Sequence, residues 1–431
     1  MRMLEPAAAG IIGLFVPTRQ RVRENDWGLV SATANSTVPQ LTLTRQELWR
    51  DGLVMISLWI WCALLSFPLI PLNVFEETTN QVLIYQASGL LLFVVVTMAV
   101  IPARTAGVLI RYSPFQATIV LVILSSLALQ FHGPEASIIE GIAYTLALFV
   151  VILCLSAVWT MRPDSLAICL GGISVVFLSF GICAIAIFGW PEGRLVGGIH
   201  PNAFGSIMLA GFVLSQYCEG LVMLGLRVAC LILAAAVSSR FAVIGCLLAF
   251  LVFEMGSRPS RLKLALLALA AVACLLLFPR MLMDVLALND PARNLDSGFT
   301  GRDDQWGIAF AAIADAPFGL GFKRPPIDHA GHNGYLRWLI EFGVVGGGLI
   351  IASTVSIVVI ALIDAAWLPS AADDRLRRLA SARAGGLVAM TFASFFQPQL
   401  FNLGDIHGVA VMLMLFSPRI GPDHNRRRLH A

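Results

Sequence analysis

The strongest constraint on the fold is a series of apolar runs, each close to the length of a membrane-spanning helix, that recurs along most of the chain. An α-helix needs about 20 consecutive apolar residues to cross the hydrocarbon core of a bilayer. Charged residues make up only 13% of the chain, against roughly 25% in a soluble domain, so these runs are not the cores of soluble domains. The sequence therefore predicts an all-α, polytopic integral membrane protein.

About twelve transmembrane helices are predicted from these runs. They lie at residues 52–71, 82–101, 115–131, 138–160, 165–189, 203–219, 225–238, 241–256, 262–279, 334–363, 384–399 and 407–417. The chain then divides into a cytoplasmic tail at 1–51, transmembrane helices 1–9 at 52–279, a long loop containing short helices at 280–333, transmembrane helices 10–12 at 334–417, and a second cytoplasmic tail at 418–431.

The distribution of basic residues sets the predicted orientation, because Lys and Arg accumulate in the cytoplasmic loops of membrane proteins. With the N-terminus inside, 21 of the 29 basic residues fall in cytoplasmic segments. Removing one helix from the crowded region 203–256 would move the basic residues after position 370 to the outside. We therefore predict three helices in that region, both termini in the cytoplasm, and the 280–333 loop on the outer face.

Polar side chains concentrate in one stretch, residues 296–347, where the long loop leads into the tenth predicted helix. Its charged and polar residues include Arg302, Asp303, Asp304, Lys323, Arg324, His329, His332 and Asn333. Long polar loops in membrane proteins are either functional or disordered. The apolar run at 306–313 and the glycines around Phe318 favour an ordered, functional loop.

Three arginines lie on the predicted outer face against the general trend: Arg194, Arg240 and Arg302. Guanidinium is planar and always charged, which suits bidentate recognition of phosphate. For any one of them, the alternative is a side chain that snorkels at the membrane interface. Three on one face indicate a bound anion such as a pyrophosphate.

His332 stands where the loop enters the tenth predicted helix. Imidazole suits proton transfer near neutral pH, which makes His332 a candidate general base. The alternative is a histidine that only caps the helix. His329 lies three residues away, but two histidines are too few for a metal site, and we predict neither a metal nor another cofactor.

The tenth predicted helix carries two further patterns. Arg337 and Glu341 are four residues apart and can pair, which favours a structural role for charges that are costly within a membrane. Gly343 and Gly347 form a small-xxx-small pair, a helix-packing feature that lets backbones approach closely.

Several functional classes lack their motifs. The chain has no P-loop, no G-x-S-x-G elbow and no D-x-D nucleotide-metal motif of the kind found in many soluble glycosyltransferases. Its net charge of +3 is too small to indicate a nucleic-acid partner.

Five short motifs together resemble a known family. They are RLVGGIHPN at 194–202, SR at 239–240, GRxxxW at 301–306, PxGxG at 317–321 and HNxYL at 332–336, followed by Glu341 and Gly343. In this order and spacing they are similar to the O-antigen ligase and O-antigen polymerase superfamily, which consists of bacterial inner-membrane glycosyltransferases and includes exopolysaccharide polymerase-like members. The matching region runs from about residue 190 to 350. The polymerase and ligase branches fit equally well.

The resemblance implies a function. A glycan on undecaprenyl pyrophosphate is moved to an acceptor hydroxyl at the periplasmic face without metal or nucleotide, in exopolysaccharide, O-antigen or lipopolysaccharide biosynthesis. Arg194, Arg240 and Arg302 are then the pyrophosphate ligands and His332 the catalytic residue. Supporting roles are assigned to His200, Asn202, Asn333, Glu341, Lys323 and Arg324. The expected partners are the lipid-linked donor, a glycan or lipid acceptor, membrane lipids, and other polysaccharide assembly and export proteins.

Two other functional classes fit a chain of this kind. A lipid-linked glycan flippase has a similar number of spans, but it needs polar groups distributed through them, whereas here they concentrate at one face. A non-catalytic scaffold does not need arginines placed against the topological trend.

Overall fold

The computed structural model describes residues 45–70, 79–100, 112–130, 135–191, 195–256, 302–323, 333–368, 374–398 and 401–419. Within these ranges the chain forms helices and turns, with no β-strand and one isolated antiparallel bridge between Val196 and Ile199. The helices of the described ranges are α1 (Arg45–Ser66), α2 (Thr79–Val100), α3 (Pro114–Gln130), α4 (Glu135–Val158), α5 (Pro163–Phe188), α6 (Pro201–Ser215), α7 (Leu221–Ala236), α8 (Arg240–Gly256), α9 (Arg302–Asp315), α10 (Gly334–Trp367), α11 (Asp374–Ala393) and α12 (Ile406–Leu415).

This helix order confirms the predicted all-α architecture. Every described helix except α9 overlaps a predicted transmembrane helix, although α11 begins ten residues before the predicted 384–399 and ends six residues before it does. Three separate helices, α6 to α8, occupy the crowded region 203–256. Helix α9 lies inside the predicted long loop. The predicted helix at 262–279 lies outside the described residues.

The outer surface of the bundle is apolar. Five described helices, α1, α2, α4, α5 and α10, are long and apolar enough to cross a membrane, and shorter apolar helices accompany them. On α2, for example, Leu83, Ile84, Leu91 and Val95 are all exposed. Apolar surface of this extent is not sustained in water and indicates contact with lipid. The chain is a multi-pass membrane protein.

The interior is built around two short helices that the others enclose. All ten residues of α12 are buried, as expected of a helix that is apolar on every side. Helix α6 is buried over nearly its whole length and packs against α5, α7 and α8. Helix α8 in turn packs closely along α11, where Gly385 lets the α8 backbone approach at Ala249.

One end of the bundle, named here the Asn333 end, is where α6, α8, α10 and α12 begin and α11 terminates. The N–H of Gly334 donates to the Ser394 carbonyl at 2.9 Å, joining the start of α10 to the end of α11. The Ser394 hydroxyl lies 3.2 Å from Nε2 of His407, joining the same point to the start of α12. The other end, named the Arg383 end, is where the opposite termini of these helices lie. There, Nε of Arg383 donates a hydrogen bond to the Ser417 hydroxyl at 2.7 Å.

Candidate functional site

Helix α10 is broken near its start. Gly343 has φ 75° and ψ 175°, so the backbone leaves the helical path there. The N–H of Val344 donates to the Pro317 carbonyl at 2.8 Å, and the Ile340 carbonyl accepts from the N–H of Leu320 at 2.8 Å. In an unbroken helix these two groups of α10 would bond to each other. The loop at residues 317–323 therefore replaces the hydrogen bonds that the break removes.

The glycines of the PxGxG motif make this docking possible. The N–H of Gly321 donates to the Glu341 carbonyl at 3.0 Å. A Cβ on Gly319 would lie 2.5 Å from the backbone nitrogen of Gly343, and a Cβ on Gly343 would lie 2.4 Å from the carbonyl carbon of Phe318. Gly319 and Gly343 also have positive φ, which other residues rarely adopt. The two backbones meet too closely for any side chain at these positions.

The same contacts show what the small-xxx-small pair packs against. A Cβ on Gly347 would lie 2.6 Å from the Trp338 carbonyl, which belongs to the segment of α10 before the break. Gly343 itself faces the 317–323 loop. The close backbone approach predicted for this pair is therefore present, and its partners are the first helical segment of α10 and the loop, which the break turns onto these glycines.

Glu341 ties the loop to α10 through its side chain as well. Its Oε1 lies 2.8 Å from Nε of Arg337, which confirms the predicted pair, and the two side chains are 1% and 5% exposed. The same oxygen accepts from the N–H of Lys323 at 3.3 Å. Oε2 of Glu341 and Nη1 of Arg337 have no hydrogen-bond partner in the described part of the chain. Buried polar atoms of this kind have capacity for a water molecule or a polar ligand.

Lys323 stands at the end of the docked loop in a left-handed conformation, with φ 62°. Its ammonium lies 5.1 Å from the ring centroid of Tyr144, a cation–π distance. Burial, followed by the charge of Arg337, lowers the pKa of Lys323 to about 8, while Glu341 and Asp405 act in the opposite direction. The lysine is thus held in an apolar environment where its charge interacts strongly with neighbouring groups.

Asp405 and Tyr144 were not singled out in the sequence. The Asp405 carboxylate caps α12 by accepting from the N–H of Gly408 at 3.2 Å. Burial raises the pKa of Asp405 to about 6, against the opposing effects of nearby backbone N–H groups and of Lys323. The Tyr144 hydroxyl accepts from the N–H of Leu403 at 2.7 Å. The signal in the sequence is Asp405 itself, the one acidic residue of the connection at 400–406 between the last two predicted helices, which contains no Lys or Arg.

Two predicted supporting residues are helix caps. Asn333 is buried, and its Oδ1 accepts from the N–H groups of Tyr335 and Leu336 at 2.9 and 3.2 Å. Nδ1 of His200 accepts from the N–H of Asn202 at 3.2 Å at the start of α6. Both caps satisfy N–H groups that the first turn of a helix leaves unpaired. They fix the starts of α10 and α6 at the Asn333 end.

The predicted anion ligands are only partly within the described chain. Arg240 is half-buried at the first position of α8, next to Phe241, whose ring stacks on Phe396 just beyond α11. Arg302 begins α9. The remaining predicted residues, Arg194, Arg324, His329 and His332, lie outside the described residues, and Asn333 follows His332 directly in the sequence.

The buried cluster has a balanced charge. It combines two cations, Lys323 and Arg337, with two carboxylates, Glu341 and Asp405, so it is not by itself an anion site. Its contacts hold the start of α10 and the 317–323 loop together. Net positive charge for binding an anion has to come from other residues, which is the role predicted for the three arginines.

Comparison with known proteins identifies one domain. Residues 225–351 match the family model described as O-antigen ligase. The matched region runs from within α7 to within α10 and includes the docked loop and the break at Gly343. The match confirms the resemblance identified in the sequence. No curated protein sequence matches the chain.

Proposed function

We propose that this chain, which residues 225–351 place in the O-antigen ligase and polymerase superfamily, moves a glycan from undecaprenyl pyrophosphate to an acceptor hydroxyl. The family indicates membrane polysaccharide ligation or polymerisation, and the apolar helices place the reaction in a membrane protein. Beyond this, the proposal specifies a donor glycan carried on undecaprenyl pyrophosphate, the periplasmic face of the membrane as the place of transfer, and the residues that act.

In the proposed reaction the acceptor oxygen attacks the anomeric carbon of the glycan. The bond from that carbon to the phosphate oxygen breaks, undecaprenyl pyrophosphate leaves with its negative charge, and the acceptor proton passes to His332. Arg194, Arg240 and Arg302 stabilise the pyrophosphate. Lipid pyrophosphate is a good leaving group, so positioning and charge stabilisation supply the catalysis without a metal or nucleotide.

The main support for the proposal is that the helices that begin with or follow the predicted anion ligands start at one end of the bundle. Arg240 begins α8 and Arg302 begins α9, which packs on the first segment of α10, so both helices start at or near the Asn333 end. Arg194 precedes α6, which also begins there. Helix N-termini carry partial positive charge and unpaired N–H groups, which favour anions.

The proposed setting is the bacterial inner membrane, with both termini cytoplasmic and the Asn333 end on the periplasmic side. The positions of basic residues support this orientation, because Arg375, Arg377, Arg378, Arg383 and Arg419 all lie toward the Arg383 end. The loop at 280–333 is then periplasmic, where a lipid-linked donor, an acceptor glycan or lipid, and other assembly and export proteins meet.

Transfer by purified protein in lipid nanodiscs tests the proposal, with lipid-linked donor and acceptor supplied. Arg240→Ala should lower transfer, because losing a charged partner of a buried phosphate costs about 2–5 kcal/mol, or roughly 30- to 4000-fold. Arg240→Lys should not restore it, since ammonium lacks the planar fork. Arg375→Ala, whose arginine pairs with Asp164 at the Arg383 end, is the matched control and should transfer normally.

Two results contradict the proposal. Wild-type transfer by both Arg240→Ala and Arg302→Ala removes these arginines from the site. Translocation of the lipid-linked glycan across a proteoliposome membrane with no transfer to any acceptor establishes the flippase alternative instead.

A further inference from the structure

Helix α9 has one face buried against α10. Ala309 is fully buried and packs with Leu336 and Ile340 in the first segment of α10. Trp306 and Ile313 flank this contact and are partly buried. The packing fixes α9 beside the segment of α10 that precedes the break at Gly343.

Much of the rest of α9 is exposed: Ile308 and Phe310 lie on either side of Ala309 around the helix, and Asp315, its last residue, is also exposed. Ile308 and Phe310 are 51% and 56% exposed, and residues 305–314 contain no charged side chain. Surface helices in water carry polar or charged residues on the face that is not packed. An exposed face of this composition indicates that something other than water covers it.

The exposed apolar surface continues from α9 into α10. Phe318 and Leu320 of the docked loop are 78% and 40% exposed, and Val344 and Val345, just after the break, are 51% and 70% exposed. The hydrogen bond from Val344 to the Pro317 carbonyl holds the two parts together. The surface then runs on along α10 through Leu349, Val355 and Val359, all exposed. That part of α10 belongs to a candidate membrane span, so its exposed side faces lipid.

The length of α10 locates the membrane boundary. An α-helix rises about 1.5 Å per residue, and the hydrocarbon core is about 30 Å thick. The segment after the break, residues 344–367, extends over about 36 Å and spans the core alone. The segment before the break, with Arg337 and Glu341, then lies above the hydrocarbon. The break at Gly343 therefore lies at the membrane boundary, together with the 317–323 loop and helix α9, which pack against α10 there.

We propose that α9 is an interfacial helix whose outward face, with Phe318 and Leu320, is seated in the hydrocarbon edge of the bilayer. The occupant of this surface is membrane lipid. Interfacial helices bury an apolar face about 5–10 Å into the boundary between headgroups and acyl chains. The seating does not depend on the proposed function, but it has a consequence for it: Arg302, at the first position of α9, begins at the depth of lipid phosphates.

Fluorescence quenching of single-cysteine variants of the full chain in nanodiscs tests the seating. A polarity-sensitive fluorophore is attached at Ile308→Cys, Phe310→Cys or Phe318→Cys in a background with the eight natural cysteines replaced. Val355→Cys, on the lipid side of α10, and Asp374→Cys, exposed at the start of α11, are the lipid and water controls. Only variants with an unchanged size-exclusion profile are compared, and three labelling sites allow for the loss of one.

We expect blue-shifted emission at all three positions and protection from aqueous iodide equal to that at Val355→Cys. Nitroxides attached high on the acyl chain should quench them more than nitroxides near its end, because the face lies only about 5–10 Å deep. Iodide quenching like that at Asp374→Cys would overturn the proposal by showing that the face is in water. Protection from both iodide and lipid nitroxides would also overturn it, because a protein segment, from this chain or a second copy, would then cover the face.

Discussion

The two ends of the helix bundle hold their charged side chains in different ways. At the Arg383 end, ion pairs join separate helices: Asp364 of α10 lies 3.9 Å from Arg383 of α11 and 2.8 Å from Arg419, beyond α12. Two further pairs there join α11 to other elements, Arg375 with Asp164 and Arg378 with Glu219. At the Asn333 end the buried pair, Arg337 with Glu341, lies within one helix and braces a loop.

The backbone shows the same contrast. The three non-glycine residues with positive φ in the described part of the chain, Ser238, Lys323 and Phe401, all lie at the Asn333 end. Such conformations cost about 1–3 kcal/mol each and concentrate at functional sites, where the surrounding structure holds them. Irregular backbone near a membrane is also tolerated where protein encloses it. The Arg383 end thus holds the helices together through ion pairs, whereas the Asn333 end carries the irregular backbone geometry typical of a site.

The largest expected loss of transfer follows from replacing His332, which directly precedes Asn333 in the sequence. As the general base, His332→Ala should lower transfer by about 100- to 10,000-fold. Donor binding should persist, because the arginines hold the pyrophosphate, and chelator should leave transfer unchanged. His329→Ala is the matched control and should transfer almost normally. Transfer and donor binding are measured in parallel. If His332→Ala loses both, His332 is a binding or folding element and not the general base. Glu341 and His200 are then the next candidates for the base.

A stability effect without an activity effect is expected at the Arg383 end. Asp364→Ala leaves Arg383 buried without its acidic partner, and breaking a buried pair in this way costs about 3–5 kcal/mol. Thermal unfolding in detergent should shift markedly, while turnover per folded molecule stays at the wild-type value. Arg375→Ala breaks a more exposed pair and should cost only about 0–1 kcal/mol. Loss of turnover in folded Asp364→Ala would remove the distinction between the ends.

The break in α10 offers a smaller, sharper test. Gly343→Ala should destabilise the protein by at least about 1–3 kcal/mol, because φ is 75° and the new Cβ would meet the Phe318 backbone. It should also reduce transfer by displacing the 317–323 loop. Gly348→Ala, five residues later, has open space for its Cβ and should be neutral or stabilising by about 0.5–1 kcal/mol. Equal stability and activity of the two variants would show that the break is not needed.

The smallest expected effect is a pH dependence at Lys323. Its folded pKa of about 8 means that the ammonium loses its charge as pH rises through that value. If the charge assists the site, kcat/KM should fall above pH 8, approaching about tenfold per pH unit. Lys323→Arg keeps its charge and should move this falling limb to higher pH. For Lys323→Met, kcat/KM should be lower at every pH and should not show the fall above pH 8. An unchanged profile in both variants would assign the limb to another group.

Much of the fold follows from the apolar runs and the distribution of charge. All described helices except α9 overlap predicted spans, because length and apolarity define a span without knowledge of its neighbours. The Arg337–Glu341 pair was predictable for a similar reason, since four-residue spacing places two side chains on one helical face. Residues 225–351, which match the O-antigen ligase family model, include four of the five motifs that carry the resemblance.

Contacts between distant segments could not be read in this way. Gly343 and Gly347 have the spacing of a helix-packing motif, and only the docking of residues 317–323 shows that they accommodate a break. Asp405 and Tyr144 lie far from Lys323 in sequence, so their approach to it depends on the packing of α4 and α12. The exposure of side chains in α9 could not be predicted either. The apolar run is evident in the sequence, but the sequence does not show which of its residues face away from α10.

Lipid-linked donor is expected to bind at the Asn333 end and not at the Arg383 end. Photo-cross-linking tests it with p-benzoylphenylalanine placed at Phe395, 50% exposed beyond α11, or at Trp367, 82% exposed at the far end of α10. Both positions carry exposed aromatic side chains, so the replacement is matched. Irradiation with labelled undecaprenyl-pyrophosphate glycan should attach label at position 395 and not at 367, and unlabelled donor should compete. Competed attachment at position 367 alone would contradict the account.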